Sequence, residues 1–192
     1  MTILYFLIYG FHNNVFLNQF MIWMTIYGRE TFWLVVIILM FILGGWEGKK
    51  VAVIMALCMI ILIPLGSVTK DITKRPRPLI PKEDFILQAD AEYAFPSGHA
   101  LIVSANAAVA LALFRNTRKQ LIISIILAIE AALVCVSRIY VGGHFPMDVV
   151  GGILLGVGIS FILIGLHEKI ETRIMTPLEK AFQEIKNNHR GL

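Results

Sequence analysis

The sequence predicts an all-α fold, a single bundle of helices that crosses a membrane several times. Hydrophobic residues make up 57% of the 192 residues and charged residues only 16%, whereas a soluble domain is about half apolar and about a quarter charged. The mean hydropathy is +0.76. The apolar residues gather in runs near the ~20 residues that cross a bilayer core. Because backbone in lipid must satisfy its own hydrogen bonds, each run is expected to be a helix.

The apolar runs predict five clear spans of similar length. They cover about residues 31–48, 50–69, 97–114, 120–140 and 146–166. The third and fifth runs are rich in Ala, Ser and Gly, and Gly152 and Gly156 have the four-residue spacing that lets two helices approach closely. We therefore expect these two helices at the centre of the bundle.

The two ends of the chain predict different structures. Residues 1–27 are apolar, but the polar cluster His12-Asn13-Asn14 interrupts them. Because such a cluster is costly in hydrocarbon, an interfacial segment is favoured over a sixth, weakly hydrophobic span. The tail, 167–192, has apolar residues at helical spacing among charged ones and is expected to be an amphipathic surface helix. The predicted transmembrane domain is thus 28–166.

The distribution of basic residues predicts the orientation. With five spans, the turns near 49–50 and 115–119 lie on the same side as the tail, and that side carries ten of the 17 basic residues. Positive charge favours the cytoplasmic side of a membrane. We therefore expect a cytoplasmic tail in the cell membrane, with the remaining polar motifs at the outer boundary.

Three polar motifs end or begin apolar runs. They are Lys70 with Arg77-Pro78, Pro96-Ser97-Gly98-His99, and Ser137-Arg138 followed by His144 and Asp148. Ionisable groups beside hydrocarbon are costly, so a cluster of them indicates function. Since successive helices alternate in direction, the three motifs are expected to meet at one membrane boundary.

The residue types in these motifs suit the binding of an anion. Ser97 is a natural helix N-cap, and Gly98 lets a ligand approach the backbone. The unpaired N–H groups and the positive dipole end at such a helix start attract negative charge. His144 and Asp148 are four residues apart, so we expect the carboxylate to accept the Nδ1–H, which leaves Nε2 as a nucleophile or base.

The combined pattern resembles the signature of a known family. Lys70-x6-Arg77-Pro78, Pro96-Ser97-Gly98-His99 and Ser137-Arg138-x5-His144-x3-Asp148 are similar to the motifs of the type 2 phosphatidic acid phosphatase superfamily. That family contains membrane lipid phosphatases, soluble acid phosphatases and vanadium haloperoxidases. The resemblance implies the helical core that these proteins share.

The resemblance also implies a role for each motif residue. His144 would be the nucleophile that forms a phosphohistidine, Asp148 would orient it, and His99 would protonate the leaving oxygen. The substrate phosphate would be bound by five residues: Lys70, Arg77, Ser97, Gly98 and Arg138. Because three cations and a helix N-terminus can neutralise a phosphate, we expect no metal ion and no other cofactor.

The expected function is that of an integral membrane lipid phosphatase. A polyprenyl pyrophosphate of the undecaprenyl type is favoured as substrate, because an outward-facing site suits the recycling of a carrier lipid. Phosphatidic acid or phosphatidylglycerol phosphate is the alternative. Lys74, Arg75 and Lys82 could either meet a second phosphate or be solvated loop charges.

Two other classes remain as alternatives. A haloperoxidase would use a similar anion pocket, but its known members are soluble. A non-enzymatic protein that binds or scrambles lipids would need the cations without the nucleophile. We expect no nucleic-acid partner, and the sequence makes no prediction of the oligomeric state. Glu130, within the fourth apolar run, is expected either to be protonated and hydrogen-bonded to a neighbour, which is favoured, or to line a lipid-entry groove.

Overall fold

The computed structural model describes residues 14–78, 93–177 and 179–180. The described residues form helices, and their one extended pairing is an isolated bridge between Pro76 and Tyr93. The elements are α1 (Val15–Tyr27), α2 (Glu30–Leu43), α3 (Gly45–Thr73), α4 (Gly98–Leu113), α5 (Arg118–Tyr140), α6 (Pro146–Gly165), α7 (His167–Ile170) and a π-helical turn (Glu171–Met175). The all-α prediction is confirmed.

Several helices can cross a membrane. Within 14–78, 93–177 and 179–180, three helices, α3, α5 and α6, are long and apolar enough to do so. The helices α1 and α2 meet at 61°, and this bent pair counts as a fourth candidate span. Helix α4 is apolar but has only 16 residues. The structure therefore contains three or four candidate spans in the part of the chain that it describes.

The turn between α2 and α3 lies earlier than the sequence predicts. We expected a boundary at Lys49 and Lys50, but both residues lie inside α3. The chain turns instead at Gly44 and Gly45, and Gly45 has a φ of +62°. That left-handed conformation is readily available only to glycine, so the turn falls there. The predicted end of the first run at residue 48 is wrong for this reason.

Helix α1 begins directly after the polar cluster that interrupts the N-terminal segment. The side chain of Asn14 accepts a hydrogen bond from the backbone N–H of Leu17 at 3.0 Å and so caps the helix. His12 and Asn13 lie outside the described residues. Two contacts fasten α1 to α5. The Thr25 and Ser137 hydroxyls are 2.8 Å apart, and the Tyr140 hydroxyl donates to Asn18 at 2.6 Å.

Helix α4 lies at the centre of the bundle, as the small-residue pattern predicts. Helix α6 does not, because it packs mainly on α4 and only 33% of its apolar stretch is buried, so its predicted central place is wrong. Most side chains of α4 are buried, and α4 makes its most extensive contacts with α6. A Cβ on Gly156 would lie 2.3 Å from the carbonyl oxygen of Leu101, and one on Gly152 would lie 2.6 Å from that of Ser97. The backbone N–H of Ser97 donates to the carbonyl of Asp148 at 2.9 Å. Close packing therefore places the second and third motifs side by side.

The described part of the tail packs against the start of α3. The indole N–H of Trp46 donates to Glu171 at 2.7 Å, and Lys49 pairs with Glu179 at 3.1 Å. The predicted amphipathic helix covers 167–192, and of this range residues 178 and 181–192 lie outside the described residues.

Glu130 lies on α5 beside the bend between α1 and α2. Its Oε1 is 3.0 Å from the point that a Cβ on Gly28 would occupy. The indole of Trp33, which is fully buried, lies next to its carboxyl group. Glu130 does not line the cavity described below.

Candidate active site

One cavity of about 220 Å³ receives residues from all three motifs. It lies where α3 ends and α4 begins, and it includes six of the eight predicted site residues: Lys70, Arg77, Gly98, His99, Arg138 and His144. Ser97 and Asp148 do not line it. They lie directly behind it, in the backbone contact between α4 and α6.

Two arginines lie close to the backbone that precedes His144. Arg77 donates from Nη1 to the carbonyl of Gly143 at 2.8 Å. Arg138 is 2% exposed, and its Nη2 lies 3.0 Å from the point that a Cβ on Gly143 would occupy. The absence of a side chain at Gly143 therefore lets both guanidinium groups approach the turn that carries His144.

The ring of His144 is held in one tautomer. Its Nδ1 lies 2.8 Å from the carbonyl oxygen of Ala94. A carbonyl can only accept, so Nδ1 carries the proton and Nε2 is the unprotonated, nucleophilic nitrogen. His144 is 1% exposed. Burial lowers the pKa of this ring to about 4, and the charges of Arg138 and Arg77 act in the same direction while Asp148 opposes them.

Asp148 contacts different partners from the one that we predicted. Its Oδ2 is 3.8 Å from His144 Nδ1, which is too long for a hydrogen bond, and accepts instead from the backbone N–H of Phe145 at 2.9 Å. Its Oδ1 pairs with Arg75 at 2.9 Å. The prediction that Asp148 accepts the Nδ1–H is therefore wrong, because the carbonyl of Ala94 takes that proton. The nearby Asp148 carboxylate raises the pKa of the His144 ring.

Ser97 also differs from the prediction. It occupies the N-cap position of α4, yet its side chain makes no capping hydrogen bond. Its hydroxyl is buried and has no hydrogen-bond partner among the residues that the structure describes. Buried hydroxyls are normally paired, so Ser97 has an unused hydrogen-bonding group next to Gly98.

His99 is held from helix α1, which the sequence did not predict. Its Nε2 donates to the carbonyl of Thr25 at 3.0 Å, and its Nδ1 lies 3.4 Å from Nη1 of Arg29. Arg29 and Glu30 also line the cavity. They are the first charged residues of the chain and stand between two apolar runs. Their isolation was the one sequence feature that could have marked them as site residues. The sequence gives no sign that the carbonyl of Thr25 contacts His99.

The donor groups around the cavity are mostly cations. In the described parts of the chain, no three His, Cys, Asp or Glu side chains come close enough to hold a metal ion. The cavity gathers the positive side chains of Arg29, Lys70, Arg77 and Arg138 around two imidazoles. Such a site can bind a phosphate and stabilise the charge that develops on it during transfer.

Comparison with known proteins identifies the family. Residues 49–171 match the model of the PAP2 superfamily. The chain is 35% identical over 172 residues to the undecaprenyl-diphosphatase of Sulfolobus acidocaldarius, covering 88% of this chain and 77% of that protein. It is 31% identical over 170 residues to phosphatidylglycerophosphatase B of Bacillus subtilis, covering 81% of this chain and 77% of that protein.

Solved structures agree. The transmembrane PAP2-type phosphatidylglycerolphosphate phosphatase of Bacillus subtilis matches with a TM-score of 0.70 and 28% identity, covering 86% of this chain and 83% of that one. Aquifex aeolicus LpxE matches with a TM-score of 0.64 and 27% identity, covering 84% and 93%. Fold and site together define a multi-pass membrane lipid phosphatase. The chain belongs to the PAP2 superfamily.

Proposed function

We propose that this protein removes the terminal phosphate of a polyprenyl pyrophosphate of the undecaprenyl type. The observation that carries the proposal is that the cavity is lined by both cations and apolar side chains. The apolar side chains come from α3 and α4 and are Leu62, Ile63, Leu101 and Ile102. A lipid tail can contact these side chains while its phosphates reach the cations. The similarity to an undecaprenyl-diphosphatase over most of the chain supports this substrate.

The proposed reaction has two steps. Nε2 of His144 attacks the terminal phosphorus, the bond from that phosphorus to the bridging oxygen breaks, and its electron pair stays on the lipid monophosphate. Water then attacks the phosphorus of the phosphohistidine, the P–N bond breaks with its electron pair returning to Nε2, and inorganic phosphate leaves. Lys70, Arg77 and Arg138 neutralise the phosphate oxygens, together with Ser97 and the N–H of Gly98.

The remaining two catalytic groups act on either side of this transfer. His99 protonates the leaving oxygen of a phosphomonoester through Nδ1, once that nitrogen has taken up a proton, because its Nε2–H is donated to the carbonyl of Thr25. Asp148 holds the turn of His144 through the N–H of Phe145, and its charge stabilises the ring as it becomes positive.

The proposed topology places the cavity at the outer face of the cell membrane and the tail in the cytoplasm. It has five spans within 28–166, in which α4 is a short span at the centre. The distribution of basic residues supports this orientation. The close packing of α4 between longer helices supports a short central span.

A glycerolipid monophosphate is the second candidate substrate. It is favoured by the similarity, in sequence and in structure, to phosphatidylglycerophosphatases. A protein that only binds or scrambles lipids would resemble this one in its cations but would not need His144.

Phosphate release by the purified protein in detergent tests the proposal. The substrates are undecaprenyl pyrophosphate, phosphatidic acid and phosphatidylglycerol phosphate, each with and without a chelator. We expect the highest kcat/KM for the pyrophosphate, and a higher value for either glycerolipid would overturn the assignment. His144→Ala should abolish release from each substrate. The matched control is His167→Ala, because His167 lies at the opposite end of α6.

A further inference from the structure

Arg29 reaches the cavity although it belongs to none of the three motifs. It lies in the break between α1 and α2, where the helix axes turn by 61°. Its side chain is 31% exposed, its Nε is held by the carboxylate of Glu30, and its Nη1 lies 3.4 Å from Nδ1 of His99. The guanidinium is therefore oriented toward the cavity by a neighbour on its own helix.

The cavity cations fall into two groups. Arg77 and Arg138 lie beside Gly143, next to the proposed nucleophile, at the distances given above. Arg29 lies beside His99 and Gly98 instead, with Nη1 3.9 Å from the point that a Cβ on Gly98 would occupy. In an in-line phosphoryl transfer the leaving group departs opposite the nucleophile. Since His99 is the proposed proton donor to the leaving group, a residue in contact with His99 is near the leaving group.

We propose that Arg29 binds the inner phosphate of a lipid pyrophosphate and so makes the enzyme prefer pyrophosphates to phosphomonoesters. This inference rests on the proposed function. When the terminal phosphate lies among the motif cations, the inner phosphate brings a further negative charge to the side of His99. That charge grows as the bridging oxygen takes the electron pair. The guanidinium group of Arg29 already faces this side of the cavity, and its paired N–H donors can stabilise the negative charge on the inner phosphate.

Other basic residues near the cavity are less suited to this role. Arg75 does not line the cavity; it pairs with Asp148 at 2.9 Å and lies over the ring of Phe145, 5.1 Å from its centre. Lys74 is exposed and does not line the cavity. Lys82 lies outside the described residues. Among the described basic residues, Arg29 is the one beyond the motifs that lines the cavity.

The chemistry of the two leaving groups separates Arg29 from its neighbour His99. A phosphomonoester leaves as an alkoxide, which is a strong base, and needs a proton from His99. A pyrophosphate leaves as a lipid monophosphate, whose second pKa is about 6, and needs charge compensation more than a proton. Loss of Arg29 should therefore impair mainly pyrophosphate hydrolysis, and loss of His99 should impair mainly phosphomonoester hydrolysis.

Farnesyl pyrophosphate and farnesyl monophosphate test this, because they share one tail and differ by one phosphate. We expect Arg29→Gln to lower kcat/KM for the pyrophosphate by about 10- to 100-fold, the effect of losing a hydrogen bond to a charged group, and for the monophosphate by less than about threefold. Arg29→Lys should retain part of the activity that Arg29→Gln loses, because lysine keeps the positive charge but lacks the paired N–H donors of the guanidinium group. His99→Asn should lower kcat/KM more for the monophosphate than for the pyrophosphate.

Lys74→Gln is the matched control, because it removes the same charge from the exposed end of α3 without touching the cavity. It should change neither substrate's kcat/KM. Equal losses on both substrates in Arg29→Gln, with normal elution in size exclusion, would overturn the inference while leaving the proposed function intact. Failure of the unaltered enzyme to hydrolyse the pyrophosphate would overturn both.

Discussion

Replacing Gly156 by alanine tests whether close contact between α4 and α6 assembles the site. The new Cβ would lie 2.3 Å from the carbonyl oxygen of Leu101 and 2.7 Å from Oγ of Ser104, whereas ordinary contact begins at 3.4 Å. The nearest atom belongs to the backbone of α4, so a rotamer change cannot relieve the overlap. The two helices must separate by about 1 Å.

The expected cost follows from that displacement. Overpacking of this kind lowers stability by about 1–3 kcal/mol. Helix α4 carries Gly98 and His99, whereas α6 carries Asp148. Misplacing reactive groups by about 1 Å can cost about 100-fold in rate. We therefore expect Gly156→Ala to lower kcat by about 10- to 100-fold as well as the midpoint of thermal unfolding.

The measurements are phosphate release in detergent and the fraction of protein that elutes normally in size exclusion after heating. Gly158→Ala is the control, because a Cβ at Gly158 meets no atom within 4 Å. That variant should retain full activity and gain up to about 1 kcal/mol from helix propensity. If Gly156→Ala matches it in both measurements, the close contact does not hold the site together.

Three further predictions concern the chemistry. Burial lowers the pKa of His144 to about 4, so its ring should stay neutral and react with diethyl pyrocarbonate down to about pH 4. Mass spectrometry measures the modified fraction at each pH, and a midpoint of this reaction near pH 6.5 would contradict the prediction. Asp148→Asn should lower kcat more than about tenfold with little change in KM, because the charge beside the ring is lost; steady-state kinetics within threefold of the unaltered enzyme would refute it. Glu130→Gln should keep activity and thermal stability, because a protonated carboxyl and an amide have similar shapes, and a loss of either would show that the charge matters.

The sequence predicts the helices well because burial in lipid imposes one simple requirement on composition. The bounds of α4, α5 and α6 agree with the predicted runs to within two residues. The turn at Gly44 and Gly45 was missed, because charge at 49–50 is a more visible signal than a glycine pair.

The residues of the site were also predictable only in part. Charged residues next to apolar runs are conspicuous, so Lys70, Arg77 and Arg138 could be found from the sequence. The carbonyl partners of the two histidines could not, because every residue has a carbonyl and only the fold decides which one is near. The charge pairing of Arg75 with Asp148 was likewise a question of folding, not of residue type.

The contact between His99 and helix α1 has a consequence for how substrate choice can evolve. Thr25 and Arg29 both precede residue 49, where the match to the family begins. Part of the cavity lining thus lies outside the segment that matches the family model. If Arg29 sets the substrate preference as we propose, changes in these N-terminal helices would alter that preference without changing the motif residues.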